Sequence, residues 1–169
     1  MKKICAIAAM DEGRVIGYRG GIPWKIPEDM KRFKDLTMGH AVLMGRRTYE
    51  SLPSFAQPLP GRINVVLTSK PRELEAPEKV LRYSSIEEAT DAFRNDKLGS
   101  AVDLLWIIGG AEVYSQSINL WDELYLTIVH GKHEGDVYFP SFEDTFRLSE
   151  KEIKDKVTFL HYCRENKTV

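Results

Sequence analysis

The chain has 169 residues, enough for one domain spanning 1–169 with a proper core, and its 24 basic and 25 acidic residues leave a net charge of -1. That balance excludes the basic footprint of a nucleic-acid binder and points to small ligands. Cys5 and Cys163 are far apart and lack a CxxC or a His-rich neighbour, so neither zinc nor a disulfide framework is expected; both are read as reduced and buried.

Lys2-Lys3 followed by the apolar residues 4–10 superficially resembles the start of a secretory signal. The run is short, however, and passes straight into Asp11-Glu12-Gly13-Arg14 without a cleavage region. A first strand buried on both faces, as in a parallel sheet, is the better reading. Nothing else approaches transmembrane length, so a soluble, cytoplasmic protein with no membrane partner is expected. Asp11-Glu12-Gly13 reads as a turn. Val15-Ile16-Gly17 then leads into a glycine-rich loop at 18–22 that is able to move as a lid.

Pro23 and Pro27 hold the next stretch extended, so a helix is expected to begin only after Pro27. On a wheel of ~100° per residue with Met30 at zero, Phe33, Leu36 and Thr37 define an apolar arc, and Asp29 falls inside it at ~260°. Glu28 falls on the wet side with Arg32 and Asp35. A carboxylate in the apolar arc of a first helical turn, next to Trp24 and Phe33, is either a dipole partner or a functional group kept from bulk water.

Residues 41–44 form a second short strand, and Gly45-Arg46-Arg47-Thr48-Tyr49-Glu50-Ser51 carries it into a helix. Residues 53–61, rich in proline and small side chains, read as a surface loop. Residues 63–67 are a third strand ending in Thr68-Ser69-Lys70, and 80–83 a weaker fourth. Ser85-Ile86-Glu87-Glu88 has capping-box spacing ahead of a helix to about Asn95. Residues 104–108 run into Gly109-Gly110 and another helix. From Glu123 the pattern changes to strands at 124–129, 146–149 and 157–163 with no helix between them, and such strands pair antiparallel. The expected fold is α/β: a mostly parallel central sheet flanked by helices, with antiparallel C-terminal strands.

In such a sheet ligands bind outside the carboxyl ends of the parallel strands. Three candidates converge there. Gly45 to Thr48 place cations and a hydroxyl at a helix start, Gly109-Gly110 permit close backbone approach, and Thr68-Ser69-Lys70 add donors. Together they suit a dinucleotide, although the G-x-G-x-x-G of the Rossmann fold is absent. No Ser-His-Asp pattern, cysteine nucleophile or metal cluster can be assembled. His40, His130, His133 and His161 are scattered and read as structural or solvated. Asp29 is left as the proton-handling group.

The chain resembles dihydrofolate reductase. The resemblance is carried by Ile22-Pro23-Trp24-x-Ile26-Pro27-x-Asp29-x-x-x-Phe33-Lys34, by residues Met44-Gly45-Arg46-Arg47-Thr48-Tyr49-Glu50-Ser51, by Leu59-Pro60-Gly61-Arg62-x-Asn64, by Ile107-Ile108-Gly109-Gly110-Ala111-x-Val113-Tyr114, and by Glu134-Gly135-Asp136 with Phe139-Pro140. It implies hydride transfer from NADPH to dihydrofolate, with antifolates as inhibitors. Asp29 would grip the pterin and promote protonation of N5, with Thr127 as its partner and Trp24 beside it. Ile7, Ala8, Phe33, Leu52, Ile108 and Tyr114 would line the substrate pocket, and Arg62 would hold the glutamate carboxylate. Ala9, Ile16, Gly17, Gly45, Arg46, Arg47, Thr48, Thr68, Ser69, Lys70, Gly109, Gly110, Ala111 and Val113 would meet the cofactor. The 16–24 loop would close over the nicotinamide, and Gly109-Gly110 would be joined by the family's cis peptide.

Two departures stand out. The 53–57 loop is longer than in compact bacterial relatives, and Glu112 stands where many relatives carry an arginine. The alternatives are a related-fold pyrimidine reductase of riboflavin synthesis, which would not need the Trp24 to Phe33 stretch or Arg62, and a nucleotide-binding sensor without turnover, against which an intact Asp29 argues. Nothing in the sequence demands more than a monomer.

Overall fold

The computed structural model describes residues 1–165. Its sheet is built outward from β1 (Lys3–Asp11), whose side chains are apolar on both faces. Ile4, Ala6, Ala8 and Met10 enter one core cluster, and Cys5 and Ile7 enter the other. Alternate residues of a strand face opposite ways, so both faces need covering, and crossover helices supply the cover. Parallel to β1 on either side lie β6 (Leu104–Gly109) and β7 (Glu123–Val129). Beyond β6 follow β3 (Ala41–Gly45), β4 (Ile63–Leu67) and β5 (Leu81–Tyr83), all parallel. Beyond β7 come β10 (Val157–Arg164) and β9 (Phe146–Ile153), each antiparallel to its neighbour. The eight-stranded order is β5-β4-β3-β6-β1-β7-β10-β9. A second, two-stranded sheet pairs β2 (Val15–Gly17) with β8 (Val137–Tyr138).

The expected α/β sheet is therefore present, with one correction. β7 opens the segment that was expected to pair antiparallel, yet it runs parallel to β1 and meets only β10 antiparallel. The helix after β6, α4 (Ala111–Ser117), carries the chain over β1, so a crossover does precede β7. β9 is also longer than expected, because its last seven residues are exposed and their two large apolar members, Leu148 and Ile153, give no strand alternation.

α1 (Pro27–Thr37) starts at Pro27 itself rather than after it. At the first helical position a missing N–H costs nothing, and the fixed φ suits the helix. Glu28 is exposed and Asp29 half-buried, as the wheel predicts. Two neighbours are reversed: Met30 is 55% exposed, and Arg32 is half-buried instead of lying on the wet side. The guanidinium of Arg32 lies 4.4 Å from the centre of the Phe159 ring, so its long stem crosses an apolar surface and its charge meets a π face.

α2 (Arg46–Ser51) follows β3 without a side-chain cap. α3 (Ile86–Arg94) is capped by Ser85, whose hydroxyl accepts from the Glu88 N–H at 3.1 Å. Glu88 reaches back to Ser84 rather than to Ser85, a displaced version of the expected box. Cys5 is buried but Cys163 only half so, a correction to the reading of both as buried. Among the described residues no helix is long and apolar enough to cross a membrane.

Candidate active site

The carboxyl ends of β1, β3, β4, β6 and β7 meet on one edge of the sheet, and α1 delivers Asp29 to it. Thr127, buried on β7, donates its hydroxyl to Oδ1 of Asp29 at 2.6 Å. Nη1 of Arg32 lies 3.5 Å from the same hydroxyl oxygen. A guanidinium only donates, so Thr127 accepts from Arg32 and sends its single proton to Asp29. Burial pushes the Asp29 carboxyl above its ordinary value, while the Thr127 hydrogen bond and the Arg32 charge pull the other way. The site therefore holds a carboxylate whose protonated form is favoured relative to one in water.

An apolar floor lies beside Asp29. Ile7, Phe33, Leu52 and Ile108 share one cluster with Tyr125 and Met44, and Ala8 lies on β1 with its side chain in the opposite cluster. Tyr114 also belongs to that opposite cluster. Its hydroxyl reaches the Ile7 carbonyl at 2.7 Å, and burial with the nearby Asp29 charge pushes its phenol well up. It therefore fixes β1 beneath the floor. Trp24 joins neither set: it packs with Val129, Val157 and Phe159 and meets His133 edge-on at 5.3 Å.

Arg62 stands at the outer end of this floor. It donates to the Pro60 carbonyl at 2.9 Å and to Thr37 Oγ1 at 3.2 Å, and lies 6.0 Å from the Phe33 ring centre. Two of its donors are thus fixed and its plane is set. The adjoining loop contains a short 3-10 turn (Ser54–Ala56) with Phe55 80% exposed, and a cis Gln57–Pro58 bond.

On the other side of β1 the backbone forms a cradle. Gly109 and Gly110 are joined by a cis peptide, and Gly109 has φ of 123°, open only to glycine. A Cβ on Gly110 would lie 3.3 Å from Thr48 Oγ1, and one on Gly45 3.3 Å from Val113. The starts of α2 and α4 therefore face each other across bare backbone, with Ala111 half-buried between them. Thr68 is buried at the end of β4 and its hydroxyl accepts from the Lys70 N–H at 3.2 Å. Ser69 and Arg47 are exposed. Arg46 pairs with Glu50 at 2.7 Å and Lys70 with Glu73 at 3.7 Å. Glu112 is exposed and accepts from Gln116 at 3.2 Å along its own helix.

Residues 16–24, the expected lid, are latched at their base. Gly17 and Val137 pair across the small sheet, the Arg19 N–H donates to Asp136 at 3.1 Å, and the Gly17 carbonyl accepts from Asp136 at 3.0 Å. A Cβ on Gly135 would fall 2.1 Å from Val15, so glycine there lets the strands close. Ala9 pairs with Thr127, and Ile16 is half-buried at the loop entrance.

Two participants escaped sequence reasoning. Arg32 was placed in water by its wheel position, and groups far along the chain, the rings of Phe159 and Tyr125, draw it in. Asp11 was read as a turn residue. It is fully buried, and although burial alone raises a carboxyl, the N–H groups of His133, Val15 and Gly13 and the His133 ring hold it below the ordinary range. The turn reading does account for its 2.8 Å bond from Gly13, but not for the tie to His133.

Fold and site together define an α/β protein with a cradle of bare backbone near a half-buried carboxylate. The family model described as dihydrofolate reductase matches residues 3–165, and the chain belongs to that family. It is 38% identical to dihydrofolate reductase HdrB of Haloferax volcanii, over 94% of this chain and 82% of that one. It is 37% identical to the Bacillus subtilis dihydrofolate reductase, over 96% and 95%. Among solved structures, dihydrofolate reductase from Enterococcus faecalis, complexed with NADP(H) and RAB-propyl, superimposes with a TM-score of 0.83 at 32% identity over 97% of both chains.

Proposed function

We propose that the chain, acting as a single domain over residues 1–169, reduces 7,8-dihydrofolate to 5,6,7,8-tetrahydrofolate with NADPH, and that Asp29 holds the pterin and promotes protonation of N5. The observation that carries this reading is the Thr127 to Asp29 hydrogen bond set in an apolar floor. A carboxylate kept partly from water grips the amino and ring N–H donors of a pterin with both oxygens and favours a proton nearby.

The cradle fits the cofactor, because side chains are missing where two helix starts converge and donors stand at the end of β4. Gly45, Thr48, Gly109, Gly110, Ala111 and Val113 would lie against it, with Ala9, Ile16 and Gly17 on the nicotinamide side. Arg46, Arg47, Thr68, Ser69 and Lys70 would take the phosphates. Bound NADPH supplies the hydride.

The chain's own residues do the rest. Ile7, Ala8, Phe33, Leu52 and Ile108 exclude water from the pterin and benzoyl face. Tyr114 keeps the Ile7 carbonyl in place from beneath, and Arg62 takes the glutamate carboxylate. Thr127 holds Asp29 in one orientation, and Trp24 anchors the lid's end against His133. Antifolates would occupy the same floor, and the enzyme acts as a monomer in the cytoplasm. The test is NADPH absorbance with purified protein: loss of absorbance on adding dihydrofolate is expected, and none with wild type would overturn the proposal.

A further inference from the structure

Glu123, His161 and Cys163 take no part in the site above. Glu123 opens β7 and lies across from Cys5 on β1 and from Cys163 on β10. His161 precedes Cys163 by two residues and so shares its face. The group is four residues from Thr127 along β7, roughly 13 Å at the rise of a strand. Nε2 of His161 lies 2.7 Å from Oε1 of Glu123, and Sγ of Cys163 lies 3.9 Å from each of those atoms. All three ligand atoms fall within 4.8 Å of one another. The Glu123 and His161 side chains are 16% and 15% exposed, and the His161 ring is fixed by stacking on Tyr125 at 4.2 Å.

We propose that Glu123, His161 and Cys163 form a binding site for a zinc ion, with water completing its coordination. Thiolate, imidazole and carboxylate together suit zinc, whereas magnesium and calcium want oxygen alone. A tetrahedral zinc with these ligands sets its donor atoms roughly 3.3 to 3.6 Å apart. The two sulfur edges are within a few tenths of an ångström of that range. The Glu123 to His161 contact must open by about 0.6 Å, which a small turn of the carboxylate achieves.

Cys5 stays outside the site. Its Sγ lies 3.9 Å from Oε2, the other carboxylate oxygen, and its Cα is two strands from that of Cys163, roughly 9.6 Å. That spacing also rules out a disulfide between them. Lys3 is the competing cation, with Nζ 3.3 Å from Oε2, but its side chain is 46% exposed and free to turn to water. Sequence spacing separates Glu123 from the His-x-Cys pair by almost forty residues, so the sequence alone does not show them together. The antiparallel register of β7 and β10 brings them together.

The test uses the full chain, reduced and stripped with chelator, with Co2+ as a coloured probe and Zn2+ as its competitor. One equivalent of Co2+ should bind with a thiolate-to-cobalt charge-transfer band, and Zn2+ should displace it. Excess Zn2+ should raise Tm by several degrees, as expected of a ligand that binds only the folded state. Cys163→Ser should abolish the band and Cys5→Ser should leave it. His161→Gln and Glu123→Gln should each weaken binding at least tenfold, whereas Lys3→Met should tighten it severalfold. A band absent from wild type, surviving in Cys163→Ser, or lost only in Cys5→Ser overturns the proposal. Should Cys163→Ser fail to fold, wild-type affinity in both His161→Gln and Glu123→Gln overturns it as well.

Discussion

Thr127 gives its one hydroxyl proton to Asp29 at 2.6 Å, joining the first turn of α1 to the sixth strand of the parallel run across 98 positions of sequence. Asparagine at position 29 can still accept that bond, so Asp29→Asn removes the charge and the proton without opening the site. Its activity should fall by at least a hundredfold at neutral pH and recover in part in acid, where solvent protonates the pterin. The variant should also be more stable. Burial raises the folded carboxyl above the unfolded value of 3.8, so ionisation works against folding at every pH above the folded value, and this cost disappears below about 3.8. A gain of about 1 kcal/mol, typical where function strains a site, is expected at pH 7 and none near pH 3. Melting curves at both values check the sign.

After the Thr127 hydrogen bond, Arg32 also limits that shift. Its charge favours ionised Asp29, while Glu150 and Glu152 face it from β9 and moderate its effect. In Arg32→Met the stem over Phe159 is kept and the charge is lost, so the Asp29 carboxyl should rise further. The fall of kcat/KM with increasing pH should then move to higher pH by roughly half to one unit, the size of an ion interaction across several ångströms of protein surface. An unmoved pH profile would count against any coupling between the two.

Asp11 works in the opposite sense. Three backbone N–H groups and His133 hold its carboxyl below the ordinary range, so its contribution to stability is present above about 3.8 and lost as pH falls through the lower folded value. Asp11→Asn turns an amide toward N–H donors and should cost about 2 kcal/mol at pH 7. The gap between variant and wild-type melting temperatures should narrow in strong acid. Because the same carboxylate ties Val15 at the lid's base to the turn that bears His133, the variant's KM for the cofactor should rise as well.

How much of this was legible beforehand follows from where the deciding contacts lie. β1, β3, β4 and β6 read correctly because their apolar runs are local and both faces are buried. Asp29 was picked out by a wheel position that depends only on its own helix. Arg32 was misplaced by the same wheel, since its burial is set by Phe159 on a strand that pairs with β7. Glu123, His161 and Cys163 were invisible for a related reason: strand register, not spacing, puts them on one face. Trp24 packs with Val129 and Phe159, contacts set by the register of β7 and β10 that its own stretch of sequence does not show.

Arg62 should act on the substrate's tail. Its Nε and Nη1 are held by Pro60 and Thr37, which presets the guanidinium for a carboxylate. Arg62→Leu should weaken dihydrofolate binding roughly 10- to 100-fold, the worth of a charged hydrogen-bonded pair. A pterin lacking the glutamate should bind the variant about as well as wild type. Equal losses for the two ligands would remove Arg62 from the substrate site.

Cofactor choice turns on Glu112. NADPH differs from NADH by a 2′-phosphate, and under the proposed function Arg46, Thr68, Ser69 and Lys70, at the ends of β3 and β4, would bring cations and hydroxyls to it. Glu50 and Glu73 already pair with Arg46 and Lys70, and Glu112 adds one more negative charge, but it is exposed and spends an oxygen on Gln116 at 3.2 Å, directed along its own helix. Exposed like charges interact by less than about 1 kcal/mol, whereas each charged hydrogen bond to a phosphate contributes about 1.5 kcal/mol or more. The donors therefore win, and kcat/KM should favour NADPH by at least tenfold. Replacing the carboxylate with a cation reverses the sign of a weak term, so Glu112→Arg should raise the ratio by roughly two- to fivefold and leave the rate with saturating NADPH unchanged. Comparing both cofactors with both proteins decides the matter. A wild type that uses NADH as readily as NADPH would mean that the β3 and β4 ends do not read the phosphate, and a ratio indifferent to Glu112→Arg would mean that position 112 points away from it.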